Sequence, residues 1–548
     1  MIKSIDEAKC KGCGICDKVC PVDVIRLDTH REGIPPCQTA CPAGVDIRGY
    51  CYLLMQDKFY GAIKLLREAL PLPAVTGRVC FHPCESGCAR REVDEAVNIN
   101  SLERFIADYW LEEKANPLPR LHVAKVAVVG SGPAGLSAAY NLIKMGYPVT
   151  VFESMPASGG MLRYGIPEYR LPKDVLDAQI NYIRDIGVEF KTDTTVGRDI
   201  TIEDLKDEGY GAIFIAVGAN KNIKLDIQGE ELEGIYYGLD LLRDVNMGKK
   251  VQVGEKMAII GGGNVAIDAA RTALRLNAEE VTIYYRRSGD EMPADKREVT
   301  EAENEGVKIS FLTVPTRILR NNGKVNGIEC IKIELGSPEA SGRRNPIPIA
   351  GTEFVVNADM IIPAIGEVTD LSFWADRDKF FMTSEGTLKV DMNNLTTGIS
   401  GVFAGVDMVS GASSVVEAIA SGKKAAISID RYLRGEDINV EMETCIKKVD
   451  RPPKEGMEKE ARLAEPILSV DHRTMNFKEV RIGTSEEKAM CEVQRCMTCG
   501  SKAYIAYYEN CMTCYNCETG CPYEAINVDP FQKRIPLSIP INYMEGGV

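Results

Sequence analysis

Short, wholly apolar runs bounded by glycine mark the middle of this chain, and they are not the alternating pattern of half-exposed strands. Val126 to Val129 is such a run and predicts a buried parallel strand. Ala134 to Met145 then carry helix formers up to a stop at Gly146, and Val149 to Phe152 form a second strand. The same order recurs at Met257–Ile260, a helix through Asp268–Leu276, and a strand at Val281–Tyr285. Two strand–helix–strand units predict parallel sheets covered by helices. Tyr50 to Leu70 place aliphatic and aromatic residues at about every third or fourth position, a helical pattern. Residues 436–490 are charged, contain Pro452-Pro453, and read as a linker.

Between the strands and helices lie glycine loops. The first is Gly130-Ser-Gly132-Pro133-Ala134-Gly135, with Glu153 ending the second strand, 23 residues after Gly130. Gly130 permits the tight turn, Gly132 lets backbone approach a pyrophosphate at the helix N-terminus, and Gly135 allows close helix–strand packing. An acid about 20 residues on suits a ribose hydroxyl. The second loop is Gly261-Gly-Gly263-Asn264-Val265-Ala266, and its second strand ends on Arg286-Arg287-Ser288. Two guanidinium groups suit a 2′-phosphate, so NADP(H) is expected ahead of NAD(H). The alternative is an arginine that only covers the adenine or the surface.

Composition narrows the class. The 548 residues suffice for three or four domains, with 45% hydrophobic and 26% charged residues, as in soluble globular proteins. A net charge of −14 argues against nucleic acid or an anionic membrane as partner. There is no basic-then-apolar leader before the first cysteines and no apolar run near the ~18 residues of a transmembrane helix. A cytoplasmic protein is expected.

Nineteen cysteines would be unusual there as disulfides. Ten lie before residue 89 and seven after residue 490, leaving Cys330 and Cys445 as ordinary thiols. Cys10-x2-Cys13-x2-Cys16-x3-Cys20-Pro21 has the spacing of a bacterial ferredoxin run for a [4Fe–4S] cluster, and Cys511-x2-Cys514-x2-Cys517-x3-Cys521-Pro522 repeats it. Cys37-x3-Cys41 and Cys80-x3-Cys84-x3-Cys88 form another set, which spacing alone leaves open to one or two clusters or a zinc site. Cys491-x4-Cys496-x2-Cys499 is a further group whose first member has no assigned role.

PCQTACPAGVDI, PLPAVTGRVCFHPCESGCAR and VNINSLERFIADY closely resemble the Fe–S domain of the glutamate synthase small subunit family. That family includes the flavin subunit of NADH-dependent ferredoxin:NADP oxidoreductase and part of dihydropyrimidine dehydrogenase. The likeness runs from about residue 35 to 500. It implies two [4Fe–4S] clusters beside an FAD, one with a carboxylate or amide fourth ligand, here Glu103. By residue type alone Glu103 would be a solvated helix carboxylate. By the same resemblance GMLRYGIPEYRLP runs along the isoalloxazine, bringing Gly160, Met161, Arg163, Gly165 and Ile166 to the flavin. IAVGA contributes Gly218, and IIPAIG, which resembles the strand leaving the nucleotide lobe, contributes Gly366. GVFAGVD contributes Gly405 and Asp407, and GASSVVEAIASGKKAA contributes Ser413 and Ser414 at a helix N-terminus that can stabilise reduced flavin.

The resulting expectation is an α/β chain of two nested Rossmann-like dinucleotide domains, with a helical Fe–S domain and a ferredoxin-like α+β module. Residues 1–30 are a ferredoxin half, 31–120 the helical domain, 121–240 and 361–435 the FAD domain, 241–360 the NAD(P) domain, 436–490 the linker and 491–548 the second ferredoxin half. One cluster is assigned to Cys41, Cys80, Cys84 and Glu103. A second takes Cys37 and Cys88, with Cys496 and Cys499 replacing a CxxC that the family has upstream of Cys37. In a two-cluster ferredoxin the fourth cysteine of each run ligates the other cluster. The two terminal runs are therefore expected to pair, Cys10, Cys13 and Cys16 with Cys521, and Cys511, Cys514 and Cys517 with Cys20. Two independent arms, each completed by a partner subunit, are the alternative. These assignments total one FAD, one NADP(H) or NAD(H) and four [4Fe–4S] clusters.

The function expected is electron transfer between NAD(P)H and a ferredoxin or a catalytic redox subunit of a hetero-oligomer, the cofactors supplying the chemistry. A glutamate synthase small subunit, or a relay scaffold without nucleotide chemistry, are the alternatives. His30, His82, His122 and His472 form no constellation.

Overall fold

A computed structural model describes residues 1–10, 12, 14–22, 24–28, 33–339, 342–370, 374, 383, 387–405, 407–411, 413–439, 449, 457–507 and 510–528. Cys13 and Cys445 lie outside the described residues. Among the described residues no helix is long and apolar enough to cross a membrane.

The chain opens with strand β1 (Ile2–Ile5), a single-turn helix α1 (Ile15–Lys18) and strand β2 (Ile25–Asp28). A helical domain follows. The stretch read as one helical pattern from Tyr50 to Leu70 is two helices, α2 (Ile47–Met55) and α3 (Phe59–Ala69). Asp57, at φ 54, adopts the left-handed conformation that breaks them apart. Asp46 caps α2 by accepting from Gly49 N–H at 2.9 Å. Helices α4 (Pro73–Val79) and α5 (Ile99–Tyr109) cross so closely that a Cβ on Gly77 would stand 2.7 Å from Arg104 Cα. A glycine there is what lets the two backbones touch.

The first α/β domain is built on a five-stranded, all-parallel sheet. Its strands are β3 (Lys125–Val129), β4 (Val149–Phe152), β5 (Glu189–Lys191), β6 (Tyr210–Ile215) and a late strand that enters only after residue 400. Helix α6 (Pro133–Lys144) covers one face, and Val126, Val128, Val149 and Val151 meet Leu136 and Leu142 in the core.

The second domain is inserted. Strands β7 (Lys256–Ile260), β8 (Glu280–Tyr285), β9 (Lys308–Phe311) and β10 (Met360–Pro363) form a parallel sheet in the order β9-β8-β7-β10. Helices α7 (Asn264–Arg275) and α8 (Lys296–Asn304) flank it, with an antiparallel sheet over residues 313–357. Two boundaries differ from expectation. Strand β10 pairs with β7, so residues 360–363 belong to the inserted domain and the return begins after them. Leu241 packs in that domain's core, so the insertion starts before 241. Ladder pairing and packing set these limits, and neither is visible in local sequence.

The chain then returns through β11 (Val402–Ala404), which pairs parallel to β6, and the long helix α9 (Val415–Leu433), which packs against α6. Residues 457–490 are a strap, not the linker expected. Val480 N–H donates to Tyr169 O at 2.9 Å, Arg462 contacts Glu85, Arg473 contacts Glu305 at 3.0 Å, and Arg481 contacts Glu465 at 2.9 Å. The charges that resembled a solvated segment are spent on a buried network. At its centre is fully buried Arg271, held by Glu298, Glu301 and Glu305.

Helix α10 (Glu486–Val493) then packs on α2 and α5. Strand β12 (Lys502–Ile505), helix α11 (Asn516–Thr519) and strand β13 (Ile526–Val528) end the described chain. The termini interleave: β1 pairs antiparallel with β13, and β2 with β12. Asp6 N–H donates to Ala525 O at 2.7 Å, and Tyr507 N–H donates to Val24 O at 3.2 Å, as pseudo-symmetric halves require. Ile2, Val24, Ile25, Ala503, Ile526 and Val528 share one core.

Candidate functional site

A cavity of about 420 Å³ opens at the carboxyl ends of the first parallel sheet, within the ~300–1,000 Å³ range of ligand pockets. Gly130 sits at φ 101, and a Cβ there would lie 2.5 Å from Ala216 O. A Cβ on Gly135 would lie 1.9 Å from Gly130 O, whereas Gly132 faces open space. The N-terminus of α6 has no side-chain cap and begins with Pro133, so its N–H groups remain for an anion. Glu153, nearly buried, accepts from Ser131 N–H at 3.0 Å and Met155 N–H at 2.9 Å. The Ser131 and Ser154 hydroxyls also donate to it, so a ribose hydroxyl takes the place of one of these two.

Of the expected residues, Gly130, Gly132, Pro133, Ala134, Glu153, Gly160, Met161, Ile166, Gly218, Asp407, Ser413 and Ser414 line this cavity. Asp407 accepts from Ser413 N–H and Oγ at 3.0 and 2.9 Å, and burial pushes its carboxyl up. Ser414 caps α9 by accepting from Glu417 N–H at 3.3 Å. Others stand behind the wall. Arg163 is held by Ser158 O and Asp177, Gly165 packs on Met161, Gly405 faces the Phe214 ring, and Gly366 lies beside Ile223. The glycine cradle, the uncapped helix and the acid together fit a dinucleotide flavin. Ser131, which joins Glu153 to Gly159 N–H, gave no signal in the sequence.

At the second glycine loop, a Cβ on Gly261 would stand 2.1 Å from Ala364 O, Gly263 is open, and α7 again lacks a side-chain cap. Asn264 Oδ1 accepts from Asp295 N–H at 3.1 Å. Val265 packs against Gly238. The two arginines diverge. Arg286 is exposed beside Arg343. Arg287 is 1% exposed and donates to Arg344 O at 2.7 Å and Glu339 at 3.0 Å. The assignment of both to a 2′-phosphate is therefore corrected: Arg287 is committed to its own domain, and Arg286 alone faces solvent.

The cysteines gather in four sets, three of them around clefts. Cys37, Cys88, Cys496 and Cys499 line one, with Arg48 and Cys51. Cys41, Cys80 and Cys84 are close enough to Glu103 for their charges to interact. Burial pushes Cys80 up to about 12 and Glu103 to about 7, the latter despite a hydrogen bond from the Thr76 hydroxyl. Cys511, Cys514, Cys517 and Cys20 line another cleft, and Cys10, Cys16 and Cys521 a third. Val24 N–H lies 3.4 Å from Cys20 Sγ, and Ala525 N–H the same distance from Cys521 Sγ. Among the described residues no group of three His, Cys, Asp or Glu side chains could hold a single metal ion. Thiolates spread around a cleft suit a multi-iron cubane, whose irons take one thiolate each. Cys51 was not foreseen. It is fully buried and lines the same cleft as Cys496, and its neighbouring thiol pushes Cys496 down.

Residues 124–422 match the family described as pyridine nucleotide-disulphide oxidoreductase. Residues 32–115 match dihydropyrimidine dehydrogenase domain II, 4Fe-4S cluster, and residues 3–26 match a 4Fe-4S binding domain. The chain is 40% identical over 499 residues to NADP(+)-dependent formate dehydrogenase subunit beta of Moorella thermoacetica, covering 85% of this chain and 70% of that one. It is 40% identical over 515 residues to NADPH-Fe(3+) oxidoreductase subunit beta of Geobacter sulfurreducens, covering 86% and 76%. It is 34% identical to the glutamate synthase [NADPH] small chain of Escherichia coli, covering 73% and 89%. FprA from Mycobacterium tuberculosis, solved in complex with NADPH, shares the fold at TM-score 0.50 and 20% identity, over 57% of this chain and 85% of that one.

Proposed function

Because the chain belongs to the pyridine nucleotide-disulphide oxidoreductase family, we propose that it is the NADP(H)-handling electron-transfer subunit of a larger redox complex. It would hold one FAD in the cavity below α6, NADP(H) at the α7 loop, and four [4Fe–4S] clusters in the four cysteine sets.

Bound there, the flavin supplies hydride exchange with the nicotinamide and one-electron exchange with iron–sulfur centres. The chain's own residues bind, orient and connect. Gly130, Gly132 and the α6 N-terminus receive the pyrophosphate, and Glu153 receives a ribose hydroxyl. Arg286 meets the 2′-phosphate. Cys41, Cys80, Cys84 and Glu103 hold the cluster nearest the flavin, and Cys37, Cys88, Cys496 and Cys499 the next. Thr498 Oγ1 donates to Gly12 O at 2.6 Å, which butts the Cys496–Cys499 loop against the Cys10 run. The set Cys511, Cys514, Cys517 and Cys20 is farthest along. Cys514 is exposed there, beside exposed Met512 and Tyr507, and a partner redox subunit exchanges electrons at that end.

One observation carries this reading. A single apolar core contains Val415, part of the cavity wall, together with Cys37, Cys41, Cys80, Cys84, Cys88 and Cys496. The wall of the cavity and the first two sulfur sets are one packed body.

The test is a Cys496→Ser/Cys499→Ser double variant of the reconstituted protein. Iron is expected to fall by about four per chain. NADPH should still bleach the flavin but no longer reduce the ferredoxin clusters, which dithionite reduces. Unchanged iron refutes the ligand assignment, and NADPH reduction of the ferredoxin clusters without this set refutes the path.

A further inference from the structure

We propose that Arg48 and Cys51, one turn apart on α2, raise the reduction potential of the cluster held by Cys37, Cys88, Cys496 and Cys499 without ligating it. The proposal rests on the reading that those four cysteines hold a cluster.

Arg48 is 3% exposed, in the cleft those cysteines line. Its Nη1 donates to Cys499 O at 2.8 Å and its Nη2 to Gly33 O at 3.1 Å. Its Nε has no partner among the described residues. A guanidinium keeps its charge at any pH the protein meets, and burying one without a counter-charge is costly. The first charge acting on it is the Asp46 carboxylate, which also accepts the cap bond from Gly49 N–H and stays negative. The other negative charges acting on Arg48 are the sulfurs of Cys37, Cys499 and Cys496. Cys51 adds a second donor. It is fully buried and lines the same cleft as Cys496, where its S–H is available to the Cys496 sulfur.

Both features act in one direction. A cubane with four thiolates is net negative and gains one more negative charge when it takes the electron that NAD(P)H supplies through the flavin. A buried positive charge and an S–H donor favour that reduced state over the oxidised one, until the electron passes on to the ferredoxin set. Neither carbonyl bond made by Arg48 requires a charge, so a purely structural role predicts no change in potential. Lys18 is an internal control. It also acts on Cys496 but is exposed, with its Nζ donating to Gln494 O at 2.9 Å, so water screens it.

The experiment is a potentiometric titration followed by low-temperature EPR, with iron assays, on the full-length holoprotein and its Arg48→Gln, Arg48→Lys, Cys51→Ala and Lys18→Gln variants. Arg48→Gln should keep its iron and lower one cluster's midpoint by about 59 mV or more, which is a tenfold loss in the reduced-to-oxidised ratio at fixed potential. Arg48→Lys should restore most of the shift. Cys51→Ala should lower the same midpoint by less, and Lys18→Gln should leave it in place. Full iron with unshifted midpoints in Arg48→Gln overturns the proposal. So does an equal shift in Arg48→Lys, which would mean geometry rather than charge. Should Arg48→Gln lose iron, Cys51→Ala decides, and an unshifted midpoint at full iron overturns the proposal. Failure of the ligand reading is seen separately, as unchanged iron in Cys496→Ser/Cys499→Ser.

Discussion

Deleting residues 1–30 should cost the protein two clusters. If the terminal runs were independent arms, the deletion would remove only the cluster of the N-terminal run, about four irons. In the interleaved module it removes β1 and β2, the partners of β13 and β12, and it removes Cys20 from the cleft of Cys511, Cys514 and Cys517. It also takes away Ile2, Val24, Ile25 and Leu27, all buried in the shared core. At roughly 1.5–3 kcal/mol per buried aliphatic side chain, these four contribute roughly 6–12 kcal/mol as an upper estimate. That is the size of a whole domain's stability, roughly 5–15 kcal/mol. The C-terminal half therefore cannot hold its fold alone, and about eight irons should be lost. Iron per chain and the EPR spectrum after dithionite reduction measure this. A point variant sharpens it: Cys20→Ser should damage the cluster at Cys511, Cys514 and Cys517, and leave the one at Cys10 and Cys16 intact. A truncated protein that keeps a full cubane at the C-terminal run, with an unchanged reduction signal, would refute the pairing.

Arg286→Ala should weaken NADPH binding by about 1.5–3 kcal/mol, roughly 10- to 150-fold, and leave NADH nearly unchanged; an equal loss of both in binding titrations would show that Arg286 does not meet the 2′-phosphate. Arg287→Ala should instead lower the melting temperature, because it strips the buried partner from Glu339 and Arg344 O, and should not change the NADPH-to-NADH ratio. Gly130→Ala, forced to φ 101 with its Cβ against Ala216 O, should be purified with little flavin, and a full FAD complement by absorbance would count against the cavity assignment. Arg271→Met leaves Glu298, Glu301 and Glu305 short of a cation and should cost about 3–5 kcal/mol in denaturant unfolding; a change under about 1 kcal/mol would mean that the strap network does not depend on it.

What the sequence determined by itself was whatever depends on short spacing. A glycine loop between a buried run and a helix declares a dinucleotide turn, because the steric demands of that turn fall on residues within six positions of one another. The observed helices α6 and α7 begin within a few residues of where those loops place them. Ferredoxin runs are legible for the same reason, since one loop must wrap a cubane. The helix break at Asp57 was not legible, because a single left-handed residue leaves the apolar spacing intact. Nor was the strap over residues 457–490: a charged segment looks the same in sequence whether water or Glu301 and Glu305 answers its arginines.

Only the tertiary structure decided which side chains share a space. Adjacent in the chain, Arg286 and Arg287 suit a phosphate equally by type. The 287 position ends up inside, on Arg344 O and Glu339, because the antiparallel sheet over residues 313–357 folds back against the end of β8. Cys51 reads as one more apolar position on α2, and Arg48 as a surface charge. The packing of α10 on α2 sets both against Cys496 and Cys499, more than 440 residues away in the chain. Spacing along a backbone reports what neighbours in the chain can do together. Burial, and the charge it isolates, comes only from the elements that close over a residue.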